Sequence, residues 1–218
     1  MEIENKFCNI VVLGNFNPAI LTHEFLVDIC KIDLEKPINL QLTPIHSQIK
    51  YQKNNISFLT SLDRFEISEL KPEVFENSII PKCANSYLNV LKYTPMVLCG
   101  VNFQIDAKNV DLVNLQNSFV KQGIELKKFL KAKNVTNRHS IDIDEANKEQ
   151  YVGYDVKFTL RDGISGNIRV KVLGEKNINL NYNFEVSLEN KDNLKLILAD
   201  YYQRAVEFKD FINHFIKG

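Results

Sequence analysis

Residues 154–188 read YDVKFTLRDGISGNIRVKVLGEKNINLNYNFEVSL, and their period-two alternation decides the fold class. Tyr154, Val156, Phe158 and Leu160 alternate with Asp155, Lys157, Thr159 and Arg161, so apolar side chains fall on one face of a strand and polar ones on the other. Asp162 to Gly166 supplies turn residues, with glycines able to take positive φ. Ile168, Val170 and Val172 resume the alternation, Gly174 to Asn177 turn the chain again, and Ile178, Leu180, Tyr182, Phe184, Val186 and Leu188 form the longest run. The pattern predicts an antiparallel meander with one covered face and one wet face.

A cover follows directly in the chain. Asp192 and Asn193 offer a short side-chain oxygen to the first amides of a helix. Leu194, Ile197, Leu198, Tyr201, Tyr202, Ala205, Phe208, Phe211, Ile212, Phe215 and Ile216 then recur at helical spacing up to Gly218. This predicts one long C-terminal helix whose stripe lies on the meander.

Upstream the elements are shorter. Phe7 to Leu13 reads as a β-branched strand that ends at Gly14-Asn15-Phe16-Asn17-Pro18, where the residue before proline is pushed out of the helical region. A helix is expected from Thr22, with Phe25, Leu26, Ile29 and Cys30 on one face. Leu40 to Tyr51 and Asn55 to Leu70 read as two strands joined by a turn at Lys53 to Asn55. Ser78 to Tyr93 reads as a helix with Pro81 in its first turn and Pro95 as its stop. Met96 to Ile105 reads as an internal strand. Leu112 to Leu130 reads as a helix bent at Gly123, and Lys131 to Asn137 and Asp144 to Gln150 as polar linkers or loop tips. The expected class is α+β: antiparallel sheets each covered by helices, in two similar halves (1–109 and 110–218) that form separate domains or one continuous unit.

Composition sets bounds on function. Of 218 residues, 44% are hydrophobic and 25% charged, which is ordinary for a globular chain. Lysine plus arginine and aspartate plus glutamate both number 27, so the net charge is zero and no basic field favours nucleic acid. No run approaches the roughly 18 apolar residues of a membrane span, and Glu2 and Glu4 stand where a secretory signal would be basic. A cytoplasmic, membrane-free protein is expected, and its wealth of Asn, Lys and Ile suits an AT-rich genome. Cys8, Cys30, Cys83 and Cys99 are far apart with no histidine at ligand spacing, which predicts buried free thiols and no metal site.

Chemistry-bearing patterns are sparse. The loop after the first strand has one glycine and no lysine, unlike a phosphate-binding loop, yet its Asn15 and Asn17 could contact a ligand. Asn102, polar within an otherwise apolar strand, needs hydrogen-bond partners, and these three asparagines are the candidate ligand-binding residues. His23, His46, His139 and His214 are scattered. The stretch from Arg138 to Asp144 gathers a histidine, a serine and two acids, but neighbours on a strand point to opposite faces and cannot form a relay. Arg64 and Glu66 read as a surface ion pair. Lys157, Arg161, Arg169 and Lys171, with Asn179, Asn181 and Asn183, give the meander a basic, amide-rich outer face. RNA-binding sheets add stacking aromatics there, whereas Tyr154, Phe158, Tyr182 and Phe184 point inward.

The Asn17-Pro18-Ala19-Ile20 turn, the passage from Tyr93 to Asn102, and the strand near Phe184 with its following helix together resemble a sporadically distributed family of uncharacterised bacterial proteins. The resemblance implies an architecture and no activity. With no catalytic residue, cofactor or metal assigned, the sequence leans away from an enzyme. It points to a non-catalytic interaction or accessory protein of the bacterial cytoplasm, with a protein partner or a homo-oligomer. The alternative is a small-ligand binder or enzyme with its site near the Asn15 to Pro18 loop and Asn102.

Overall fold

The computed structural model describes residues 1–53, 55–115, 127, 129–130, 132, 134–144, 149–160, 164–189 and 192–216. Among these, ten strands form one antiparallel sheet: β1 (Glu2–Gly14), β2 (Asn39–Leu42), β3 (His46–Tyr51), β4 (Ile56–Ser61), β5 (Arg64–Leu70), β6 (Met96–Lys108), β7 (Asn134–Asp144), β8 (Glu149–Thr159), β9 (Ser165–Leu173) and β10 (Asn177–Ser187). The strand order is β2-β3-β4-β5-β1-β6-β10-β9-β8-β7. Read inward from either end, a four-strand meander leads to one long strand, β1 or β6. The helices that accompany the sheet include α1 (Ile80–Val90), α2 (Asp192–Ala199) and α3 (Tyr201–Phe211).

This corrects the expected α+β arrangement of separate helix-covered sheets with a long C-terminal helix on a meander, since there is one sheet and the helices are few and short. The reason lies in β1 and β6. The alternation of β1 begins at Glu2, five residues before its apolar part, so its polar start hides a 13-residue strand. The C-terminal stripe is also interrupted. Asp200, Tyr201 and Tyr202 are three weak helix formers in a row, and the helical segment divides there. A π-helical turn, Ile212–Ile216, completes it.

Three further readings change, the first being the polar linker or loop tip expected at 131–137, within which β7 already begins at Asn134 and pairs with β8. Each of the long strands expected at 40–51 and 55–70 is a hairpin, β2–β3 and β4–β5. Pro44 has no amide to give to a ladder, and the chain reverses around it: the Thr43 amide donates to the His46 carbonyl at 3.0 Å. The helix expected at Thr22 is one π-helical turn, Phe25–Ile29, with Thr22 Oγ1 accepting from the Phe25 amide at 3.1 Å. The expected helix at 112–130, the loop tip at 144–150 and the turn at 162–163 lie largely or wholly outside the described residues.

The chain divides into two compact units. One comprises Phe7–Val101 and Val186–Tyr202. In it α1 buries Ile80, Cys83, Ala84, Tyr87 and Leu88. Tyr87 stacks on Phe65 at 4.3 Å between centroids and meets Phe25 edge-on, so aromatic faces fix how the helix meets its strands. Pro81 stands in the helix's first turn, and Ser78 Oγ accepts from the Ile80 amide at 3.3 Å.

The other unit comprises Met1–Lys6, Asn102–Glu185 and Gln203–Gly218. Strands β8, β9 and β10 pair in sequence there, with Val156 opposite Ile168 and Ile168 opposite Tyr182. Phe208 stacks against Phe103 at 5.7 Å and Tyr182 at 5.3 Å, which seats α3 on apolar side chains of β6 and β10. Gly166 is no turn residue. It pairs with Phe158 and Phe184 inside β9, and a Cβ there would stand 2.1 Å from the Phe158 ring, so glycine leaves the room in which that ring lies.

Candidate functional site

The loop after β1 is held by backbone. The Asn15 amide donates to the Pro95 carbonyl at 2.9 Å, and a Cβ on Gly14 would stand 2.4 Å from that same oxygen, so the close approach requires glycine. Asn17 caps the short 3₁₀ turn Pro18–Ile20, its Oδ1 accepting from the Ala19 amide at 3.1 Å. Asn15 and Asn17 are exposed. Asn102 is half-buried in β6 and belongs to the other compact unit.

Nucleophile chemistry has little support. Cys8, Cys30, Cys83 and Cys99 are free and buried. Desolvation pushes the thiols of Cys8, Cys30 and Cys83 up to about 11 and that of Cys99 up to about 12, so the reactive thiolate is scarce at neutral pH. Around Cys8 lies a polar knot. Ser78 Oγ donates to Glu69 Oε2 and stands 3.6 Å from the Cys8 sulfur. Burial raises the Glu69 carboxyl, and the Ser78 hydroxyl opposes that rise. The knot ties β1 and β5 to the start of α1.

Three of the titratable residues singled out by sequence, His23, Arg64 and Glu66, have ordinary partners. His23 Nδ1 lies 3.0 Å from the Tyr51 hydroxyl, whose ionisation burial makes harder. Glu66 takes Arg64 on one oxygen and the Asn9 amide, at 2.8 Å, on the other, so the expected surface pair is half-buried and links β1 to β5. Among the described residues, no group of three His, Cys, Asp or Glu side chains could hold a metal ion. None of their helices is long and apolar enough to cross a membrane.

On the outer face of β10, Asn179 accepts from Gln104 at 2.8 Å and donates to Asp106, while Arg169 lies 3.7 Å from Asp155. These contacts tie much of the face to itself, while Asp155 Oδ1 and Asn167 Oδ1 lie buried on it without a hydrogen-bond partner. Tyr154, Phe158, Tyr182 and Phe184 are all buried, so these four rings are not offered on it for stacking.

The end strand β2 breaks the pattern of a finished fold. Its four residues are all exposed, and among the described residues only β3 pairs with it. Register places Leu40 opposite Ile49 and Leu42 opposite Ser47. Ile49 and Ser47 are fully buried, so Leu40 and Leu42 continue a buried row one strand past its cover. The Ile38 amide donates to the Lys50 carbonyl at 2.9 Å, extending the pairing. Ile38, Leu40, Leu42 and Ile45 are 61%, 47%, 50% and 66% exposed, and no side chain from Pro37 to Ile45 carries a charge. Natural edge strands are commonly protected by lysines or inward charges, and these residues supply neither.

Sequence reading overlooked this site because it merged β2 with β3 into one strand. The available signal was the pair Pro37 and Pro44, which brackets the alternation Ile38, Leu40, Leu42 and bounds a separate short strand. No protein-family model matches the chain, and a search of characterised proteins finds none that matches it.

Proposed function

We propose that this protein is a non-catalytic interaction module that takes up an extended, uncharged, apolar segment of a partner protein along β2. The exposed end of an otherwise buried apolar row carries this reading. A free strand edge offers amides and carbonyls at fixed spacing to an added strand, while Leu40 and Leu42 offer its alternate side chains an apolar footing. Pro37 and Pro44 lack amides, so pairing is confined to residues 38–43 and the register is short and defined.

A flexible partner segment suits this edge better than a second copy. Two copies meeting edge to edge would contribute six residues each, against roughly 20 to 30 residues a side in a stable interface. A partner segment can also fold over the open apolar row. The neutral stretch selects an uncharged sequence, because a buried unpaired charge there would be costly.

A photo-crosslinking residue at Gln41, in the native host, tests the reading. A distinct partner should be captured, its purified form should bind the chain, and Leu40→Lys with Leu42→Lys should abolish both crosslink and binding. A crosslinker at Asn181, on the other compact unit, should not capture it. Absence of a crosslinked species, capture of a second copy alone, or unchanged binding by the double variant overturns the proposal.

A further inference from the structure

We infer that a second, independent site lies between α1 and α2 and binds a small amphipathic carboxylate. A cavity of about 340 Å³ opens there, floored by Leu88, Met96, Leu188 and Leu194. Its rim carries Lys92 and Lys195, with the amides of Asn85 and Asn89 beside them. All of these residues belong to the unit formed by Phe7–Val101 and Val186–Tyr202.

The spacing of α1 builds one wall. Asn85 and Asn89 recur at four residues and so line one side of the helix, Lys92 follows just past its end, and Leu88, 3% exposed, lies in the apolar floor. The other wall is the start of α2. Asp192 stands in its first turn, where the helix amides answer a carboxylate, and Lys195 follows one turn on. The cavity's charged groups are thus two lysines and one aspartate, a formal excess of one positive charge. Lys92 Nζ sits 5.0 Å above the exposed Tyr93 ring.

An apolar floor with a cationic, amide-bearing rim matches a ligand with an apolar tail and an anionic head. The volume limits the tail. At about 30 Å³ for each water-sized group, the cavity takes roughly eleven non-hydrogen atoms, the size of an eight-carbon fatty acid or an arylalkanoate.

The test is titration of the full-length protein with sodium octanoate, followed by calorimetry and by amide shifts in two-dimensional NMR, with octan-1-ol as the uncharged control. Saturable binding is expected, with the largest shifts at Leu88, Asn89, Leu194 and Lys195. Octan-1-ol should bind about tenfold more weakly, as should octanoate to the Lys92→Glu, Lys195→Glu variant, which changes only exposed side chains. Leu194→Trp, which fills the cavity, should abolish binding while leaving the far-ultraviolet dichroism unchanged; should that variant misfold, the lysine variant alone decides. No saturable binding, equal binding of the alcohol, or binding unaffected by the lysine charge reversals overturns the inference. None of these outcomes bears on β2, whose Leu40 and Leu42 lie outside the cavity.

Discussion

Replacing Gly166 with alanine tests the packing of β8, β9 and β10 at its tightest point. The added methyl would stand 2.1, 2.3 and 2.8 Å from three atoms of the Phe158 ring, where ordinary contact begins at 3.4 Å. The ring has little freedom to retreat. Phe158 is 3% exposed and lies 6.0 Å, centroid to centroid, from both Tyr182 and Phe184, which are themselves fully buried. Overpacking a close-packed site of this kind costs about 1–3 kcal/mol. A loss near 2 kcal/mol would lower the melting temperature by roughly 4–8 °C for a chain of this size. Urea unfolding followed by far-ultraviolet dichroism measures it, since the chain has no tryptophan to report by fluorescence. The same substitution on a Phe158→Leu background should cost less than half as much, because the smaller side chain vacates the contested space. Equal costs on both backgrounds would refute the reasoning, as would a Gly166→Ala protein within about 0.5 kcal/mol of wild type.

Four other outcomes follow. Ser78→Ala removes the hydroxyl that donates to Glu69 and accepts from the Ile80 amide, and should cost about 1–2 kcal/mol in urea unfolding while raising the Glu69 carboxyl further. The buried thiols should be silent to a thiol reagent in the folded protein at pH 7.5 and react only on unfolding. Because burial raises the folded thiols of Cys8 and Cys83 to about 11, and of Cys99 and the Tyr87 phenol to about 12, the unfolded chain gives up protons first; stability should hold below pH 9 and fall as pH rises towards 12. Gly14→Ala should destabilise the first loop, seen as faster amide exchange around residues 14–21, since the new Cβ meets the Pro95 carbonyl at 2.4 Å.

The sequence revealed local structure better than assembly. The alternation in residues 154–160, 168–172 and 178–188 located β8, β9 and β10 because each strand has one buried and one wet face, and that difference is written every second residue. Joining all ten strands into one sheet was hidden, since the polar residues Glu2 to Lys6 and the later part of β6 show no apolar excess beyond the alternation itself. Pairing along such strands is satisfied by backbone, which leaves little trace in side chains. The division of the last helix also escaped, because its apolar stripe continues through Asp200. Gly166 was misread for a related reason: a glycine near a turn signal looks like a turn, and only the position of the Phe158 ring shows why it is there.

Of the site residues, Asn17 was visible through its Pro18, which marks a turn, but its capping of the Ala19 amide is a local act that spacing alone does not separate from ligand contact. The β2 edge was legible only as two prolines around a short alternation. That Leu40 and Leu42 extend a buried row past its cover depends on pairing with Ile49 and Ser47, and pairing is a property of the folded sheet.

The most direct measurement is hydrogen exchange at residues 38–43, with and without the partner segment captured from Gln41. Strand addition predicts slowed exchange of the β2 amides in the complex, and Leu40→Lys should remove that protection while shifting the stability of the free protein by less than about 0.5 kcal/mol, since Leu40 is an exposed side chain. Protection that spares residues 38–43 and appears elsewhere on the chain would contradict the account.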